Sequence, residues 1–428
     1  MSMRLMWICV VVFAVGCKES NSEYCKGHPN DTVNCPNGGG DGAIDTPTAC
    51  TKPSDCSGAA PVCDTTMGVC VQCTTSMAAA CTGGTPVCGT NDACRACALH
   101  SECTATSACL PTGACGDDTT VAYVASAAAG GTVNTSCTKA TPCTTVANGL
   151  ATNRPYIKIS GTIDEAVVVN DKAVTFLADP GAKLTRSTAG VIMTINGASP
   201  VTIYDLEVTA ALGASTGIGI SATVGSNVTL DNVKVTGCAS TGISATTATL
   251  TATRTSVIAN TGGGISLTGS AFDLTNNVIA KNGSGSTAFG GLSINQLGTG
   301  AHVLDFNTIS GNVGATGVTT GVVCSLVTQA VTFSNNIIYA NSGSGAGTQV
   351  SGNNCAYTYS DIGPDTVTGT GNANTDPMFV NASQNNFHLL TGSLVKDAAD
   401  PGAVLAVDLD GDTRPQGAAR DMGADEYK

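Results

Sequence analysis

The 428-residue chain is poor in charge and in aromatic rings: 11% of its residues are Asp, Glu, Lys or Arg, 4% are Phe, Trp or Tyr, and its single tryptophan is Trp7. So little charge beside 52 glycines excludes a helical bundle, which needs charged outer faces and few glycines. No cluster of Lys and Arg offsets the net charge of -13. That excludes a nucleic-acid partner, because displacing counterions from phosphates takes clustered cations. Long apolar runs are missing too: the run from Leu5 to Val15 is too short to cross a bilayer. The four histidines, His28, His100, His302 and His388, are scattered and make no metal constellation by spacing. What is abundant (Gly, Ser, Thr, Asn, Val and Ile) suits short strands joined by tight turns.

Residues 1–16 combine one cation, Arg4, with that apolar run, the pattern of a secretory signal. From the residues alone the expectation is export with cleavage nearby. The run closes on Ala14-Val15-Gly16-Cys17, which resembles the lipobox of bacterial lipoproteins. The resemblance implies acylation of Cys17, a membrane partner held through that lipid, and a place at the outer membrane or cell surface. Residues 17–49 are polar and rich in Gly, Asn and Asp, and read as a flexible tether in which Cys25 and Cys35 would close a small loop.

Export directs the reading of the 21 cysteines toward disulfides. Twelve of them fall into three units: Cys50, Cys56, Cys63, Cys70; Cys73, Cys81, Cys88, Cys94; and Cys97, Cys103, Cys109, Cys115. Units this small bury too little apolar surface to fold without crosslinks, and pairing inside each unit is the simplest scheme. The rival is a zinc ribbon on Cys70, Cys73, Cys94 and Cys97, which would leave eight cysteines of the same rhythm unexplained. Residues 50–116 are therefore expected to be a disulfide-rich, mostly irregular region.

The texture then changes to β-branched phrases that end on asparagine: TRTSVIAN, LTNNVIAKN, LDFNTISGN and VTFSNNIIYAN. Their last asparagines, at 260, 282, 312 and 341, step by 22, 30 and 29 residues. Val228, Leu230, Val233 and Val235 all face inward only if the chain bends between 230 and 233. Short strands joined by corners, recurring at this period, predict an all-β parallel β-helix over residues 117–374, in which each coil stacks on the next at about 4.8 Å. Seven to nine coils fit between residues 157 and 360. The recurring Asn suits a left-handed corner, and stacked copies are expected to bond one another as a ladder.

The stretch PCTTVANGLATNRPYIKISGTIDEAVVVNDKAVTFLAD, residues 142–179, resembles the entry of right-handed β-helix proteins of the pectate-lyase-like kind. That resemblance implies a short helix over the open end and a Cys137–Cys143 staple. The last 54 residues, 375–428, contain TDPMFVNASQNNFHLLTGSLVKDAADP and DLDGDTRPQGAARDMGADEY, which resemble the choice-of-anchor Q module of exported bacterial β-helix proteins. The resemblance makes Asp410, Gly411, Arg414, Pro415, Asp421, Gly423, Ala424 and Glu426 a signature. It implies a cap that closes the last coil, locked by Arg414 against Asp421 or Glu426.

A lyase of this fold would need carboxylates for calcium and a Lys or Arg base. Between 201 and 350 the basic residues besides His302 are Lys234, Arg254 and Lys281. The candidate catalytic set is Asp205, Glu207, Asp231 and Lys234 on two adjacent coils, and its plain reading is solvated strand-face charge. Asp408, Asp410 and Asp412 begin like a calcium loop, but the twelfth position is Ala419 where an EF-hand has Glu. No cofactor other than that calcium is expected. Cys324 and Cys355 lie about one coil apart and suit a disulfide, leaving Cys238 as a buried thiol. The leading expectation is a monomeric, non-catalytic surface that binds a polysaccharide or a surface protein. The alternative is a polysaccharide lyase or glycoside hydrolase.

Overall fold

The computed structural model describes residues 49–211, 217–223, 225–343 and 348–428. The signal, Cys17 and the tether through residue 48, with Cys25 and Cys35, lie outside the described residues. The chain divides after Arg95.

In the first unit, residues 49–95 form two disulfide modules. Cys50 pairs with Cys63 and Cys56 with Cys70; Cys73 pairs with Cys88 and Cys81 with Cys94. Both modules join first to third and second to fourth cysteine, and each holds a small antiparallel hairpin, Val62–Asp64 with Val69–Val71 and Val87–Cys88 with Cys94–Arg95. The buried apolar side chains are mostly the cysteines themselves, so crosslinks stand in for a core. The ribbon cysteines Cys70, Cys73, Cys94 and Cys97 each have a different disulfide partner, which leaves no thiolate set for zinc.

The second unit opens with the third module, Cys97–Cys109 and Cys103–Cys115. Cysteine rhythm groups this module with the first two and puts the boundary after residue 116. The packing joins it to the coils instead. Ala108 and Leu110 share an apolar cluster with Val121 and Tyr123, and the Tyr123 hydroxyl donates to the Thr106 carbonyl at 2.7 Å.

From Val121 onward the strands form three parallel files, each strand paired with its equivalent in the next coil. One file runs Tyr156–Ser160, Val174–Ala178, Pro200–Tyr204, Asn227–Asp231 and Thr249–Thr253, then on to Cys355–Thr358. A second file is a nine-stranded sheet from Thr162–Asp164 to Asp361–Gly363. The third begins Val167–Asn170, Met193–Asn196, Ile220–Thr223 and Ile243–Thr246. Equivalent inward residues stack: Leu184, Val208, Val235, Val257, Ile279, Ile309 and Ile338 fall in one register line and are buried. Each such side chain contributes roughly 1.5–3 kcal/mol, and the sum is taken coil by coil.

The bend between 230 and 233 is a two-residue corner. Asn232 takes φ 54° and Val233 turns inward, fully buried. The same pair recurs as Arg254-Thr255, Asn276-Asn277, Phe306-Asn307 and Asn335-Asn336, the first residue left-handed and the second buried. At the next corner Ala259, Lys281, Gly311 and Ala340 have positive φ and Asn260, Asn282, Asn312 and Asn341 follow, buried. The left-handed residue is therefore the one before each recurring Asn. The Asn itself faces in and bonds along the rod.

The entry is covered by a short helix, Val146–Ala151, whose Val146 is buried against Val124 and Ile157 in the core. Its first N–H groups, on Val146 and Ala147, donate to the Glu165 carboxylate. Cys137 and Cys143 are bonded beside it, and Cys324 is bonded to Cys355 with α-carbons 6.5 Å apart. The expected cap is not where the sequence puts it. Residues 364–374 close the last coil, with Val367 packed on the core and the Asn372 amide donating to the Tyr357 carbonyl. The C-terminal 375–428 runs instead along the outer face of the nine-stranded sheet.

That face changes character along the rod. Early coils present Lys183, Glu207 and Lys234 outward, whereas the same register line continues as Ser256, Val278, Thr308 and Ile337, with Ile258 and Ala280 two residues after Ser256 and Val278. Phe387 and Ala424 cover Ile258, Val278 and Ala280; Leu389, Val395 and Met422 cover Phe306 and Ile337. A sheet apolar on both faces needs a second layer, and the C-terminal strap supplies it.

Candidate functional site

Strand register brings the candidate catalytic residues together and then neutralises them. Glu207 lies between Lys183, at 3.1 Å, and Lys234, at 3.7 Å, its register neighbours on the two flanking coils. Asp231 accepts from the Arg254 guanidinium at 2.7 and 2.9 Å. Asp205, left-handed at its corner, accepts from the Asn232 amide at 2.6 Å. The four residues thus belong to three separate pairings, and Lys234 faces Glu207 rather than a carboxylate cluster.

Beside this charged face runs a groove of about 1160 Å³ between the third disulfide module and the coils. Tyr204, Asp205, Asn232 and Arg254 line one wall, and Leu99, His100 and Leu110 the other. Burial, with the Asp231 charge, pushes the Tyr204 phenol up. Asp179 lines the groove and forms an ion pair with the buried Lys158, and its other oxygen accepts from Ser160. Burial pulls Lys158 down, with Asp179 opposing. Burial raises Asp179, but the Lys158 and Ser160 bonds outweigh it and the net shift is downward. His100 is lowered by burial and then by the Lys158 charge, and its Nδ1 accepts the Cys109 N–H at 3.0 Å, so the ring is neutral there. Sequence reasoning missed Lys158, Asp179 and His100. The available signal was a lysine inside the apolar run Tyr-Ile-Lys-Ile, with an aspartate 21 residues on, one coil later.

In the strap, Arg414 is fully buried. Its guanidinium donates to Glu426 at 3.2 Å, to the Asp421 and Gly423 carbonyls at 3.0 and 2.8 Å, and to Asn276 of the coils at 3.3 Å, and it lies 4.9 Å from the Phe306 ring centroid. The charge partner is Glu426. The Asp421 carboxylate instead accepts the N–H groups of Asp397 and Tyr427, and burial pushes its pKa up to about 6. Gly423 has φ 86°, and a β-carbon there would meet Ile337 at 2.5 Å, so only glycine lets the strap backbone approach the coil. Gly411 has φ 88°, and Pro415 follows a cis peptide bond.

Asp408, Asp410 and Asp412 place oxygens within 4.8 Å of one another. Asp408 already accepts the N–H groups of Asp410, Asp412 and Glu426, and Asp412 is paired with Lys428. Of the three, Asp410 is the one turned to a different partner, His388 at 3.6 Å. Cys238 is buried without a disulfide, its thiol pushed up to about 12 by burial, and its N–H donates to Asn260 at 3.0 Å.

The family model described as "Right handed beta helix region" matches residues 216–383. Among solved structures, a pectate lyase Pel9A is 16% identical over 72% of this chain and 96% of its own, with a TM-score of 0.45. No curated protein matches the chain. Among the described residues no helix is long and apolar enough to cross a membrane. The disulfides mark the chain as an exported or extracellular protein. Its coiled region is a parallel β-helix, and the stretch that the family model matches is of the right-handed kind.

Proposed function

We propose that this chain is a surface lipoprotein that binds a neutral glycan chain without cleaving it, using the groove beside Tyr204. The observation that carries the reading is the pairing of charge along that groove. Of the charged side chains that line it, Asp179 is matched by Lys158 and Arg254 by Asp231, while Asp205 accepts from the Asn232 amide. Such a wall offers an anionic polymer little free cation, and no bare carboxylate set to hold a metal beside a basic residue. It does offer a phenol ring with planar polar groups next to it, the chemistry that stacks on a sugar face and bonds its hydroxyls. Acylation at Cys17 and the tether to residue 49 would hold the disulfide modules and the coils off the membrane. The strap fits the choice-of-anchor Q resemblance through its buried Arg414–Glu426 pair.

The test is affinity electrophoresis of the mature chain in neutral and acidic polysaccharides, with ultraviolet detection of unsaturated products. Retardation by a neutral polymer, reduced roughly tenfold in Tyr204→Ala, is expected. Unsaturated products from any acidic polymer would overturn the non-catalytic reading. Replacing Cys17 by Ser is expected to release the protein from membranes.

A further inference from the structure

The geometry points to a second site, independent of the groove: a binding site in the strap for a divalent transition-metal cation of the zinc class, formed by His388, Asp410 and Asp425. His388 Nδ1 lies 2.7 Å from Asp425 Oδ1 and 3.6 Å from Asp410 Oδ2, and all three donor atoms lie within 4.8 Å of one another. An ion about 2.0–2.2 Å from each donor requires donor separations of roughly 3–3.5 Å. The two separations from His388, 2.7 and 3.6 Å, bracket that range, and the third lies within 4.8 Å.

Two features go beyond the crowding of acids. The set includes an imidazole nitrogen, a ligand that favours zinc-like ions and is poor for calcium. One ligand is also held from behind: Asp425 is buried and its second oxygen accepts the Leu389 N–H at 2.7 Å, while the backbone N–H of His388 donates to the Asn386 side chain at 3.1 Å and fixes the strand start. Such outer bonds orient ligands for metal. His388 and Asp410 are about half exposed, 49% and 48%, so ion and water can enter from the solvent side. The ligands come from the strand Asn386–Leu389, the turn after Asp408 and the C-terminal residues, so one ion would tie three parts of the strap together.

Binding displaces the proton shared between His388 and Asp425, so affinity should fall as pH drops. The experiment is calorimetric titration of the chelator-treated, oxidised full chain with Zn²⁺, and separately with Ca²⁺. One equivalent of Zn²⁺ should bind, with affinity reduced at least tenfold in both His388→Ala and Asp410→Asn, whose half-exposed positions leave folding intact. Absence of one-to-one binding, or Zn²⁺ binding unchanged in His388→Ala, would overturn the site. Ca²⁺ binding that competes with Zn²⁺ and survives His388→Ala would equally overturn it.

Discussion

Asn282 donates its side-chain amide to the side-chain carbonyl of Asn312 at 3.0 Å, one coil along, at a fully buried corner. The same oxygen of Asn312 accepts the Asn282 backbone N–H, and the Asn282 amide also reaches the Val257 carbonyl at 2.8 Å. Asn260, Asn282, Asn312 and Asn341 repeat the bond and Gln349 ends it. A second line, Asn277, Asn307 and Asn336, runs down the neighbouring corner. Replacing Asn282 by Ala strands the Asn260 donors and the Val257 carbonyl in a dry interior. The expected loss is about 3 kcal/mol or more, at 1–3 kcal/mol per orphaned group, read as a fall in the denaturation midpoint. Asn227→Ala, at an exposed strand start, should change little.

The strap depends on one buried cation. Arg414→Met removes the partner of Glu426 and leaves that carboxylate buried beside two carbonyls. Breaking one side of such a pair costs about 3–5 kcal/mol. Residues 375–428 should then become sensitive to protease while the coils keep their β-sheet circular dichroism. Gly423→Val should do the same by collision with Ile337. Loss of the coils together with the strap would show that the two are one cooperative unit.

Stability should fall as pH rises. Burial lifts Asp305, Asp361 and Asp421 from the ordinary 3.8 to about 6. A carboxylate raised in the folded state holds its proton more tightly there, so folding loses free energy as pH climbs from about 4 to about 6. Each contributes roughly 2–3 kcal/mol at most. His388 acts in the same sense. Burial pulls it down, but the Asp425 bond and the charges of Asp425, Asp410 and Asp408 outweigh that and raise it. Its contribution is present below the ordinary 6.5 and is lost above the raised value. Melting should therefore occur at higher temperature near pH 5 than near pH 8. Asp361→Asn, which keeps the acceptor for Thr375 and replaces an oxygen with no partner, should flatten the slope by about a third. His100 and His302, lowered by burial, act in the opposite sense as pH rises toward 6.5, so the acids are read from the difference between the native chain and Asp361→Asn, and no difference would contradict the burial of Asp361.

Most of the rod was legible in the sequence because stacking repeats the same demand every coil. Alternation fixed Val228 and Leu230, and its failure fixed the corner before Val233. The asparagine steps marked the ladder, although the left-handed role belongs to the residue before each Asn. The strap's position was written in the same phrases and overlooked. In Ser256–Ile258, Val278–Ala280 and Ile337–Tyr339 apolar residues follow one another instead of alternating, the mark of a strand covered on both faces. The groove was not legible. It is lined by the third disulfide module on one side and by Leu177, Tyr204 and Arg254 on the other, and walls so far apart in sequence leave no local pattern.

Reduction separates the parts held by crosslinks from the parts held by a core. Each of the two modules within 49–95 is closed by two disulfides over 13 to 15 residues and buries few apolar side chains. Removing a native disulfide from so small a fold costs about 2–5 kcal/mol, more than such a module has in reserve. Among the described residues the coils and their entry contain Cys137–Cys143 and Cys324–Cys355, against a continuous buried file from Ile157 to Ile362. Under reductant, protease should cut 49–95 first while β-sheet dichroism persists. The third module should resist longer, because Ala108 and Leu110 remain packed on Val121 and Tyr123 after their disulfides open. Mass spectrometry of the fragments reads this order directly. Cleavage of the three modules at one rate would assign the third to the first unit, and simultaneous loss of the coils would mean that the disulfides rather than the stacked core hold the rod.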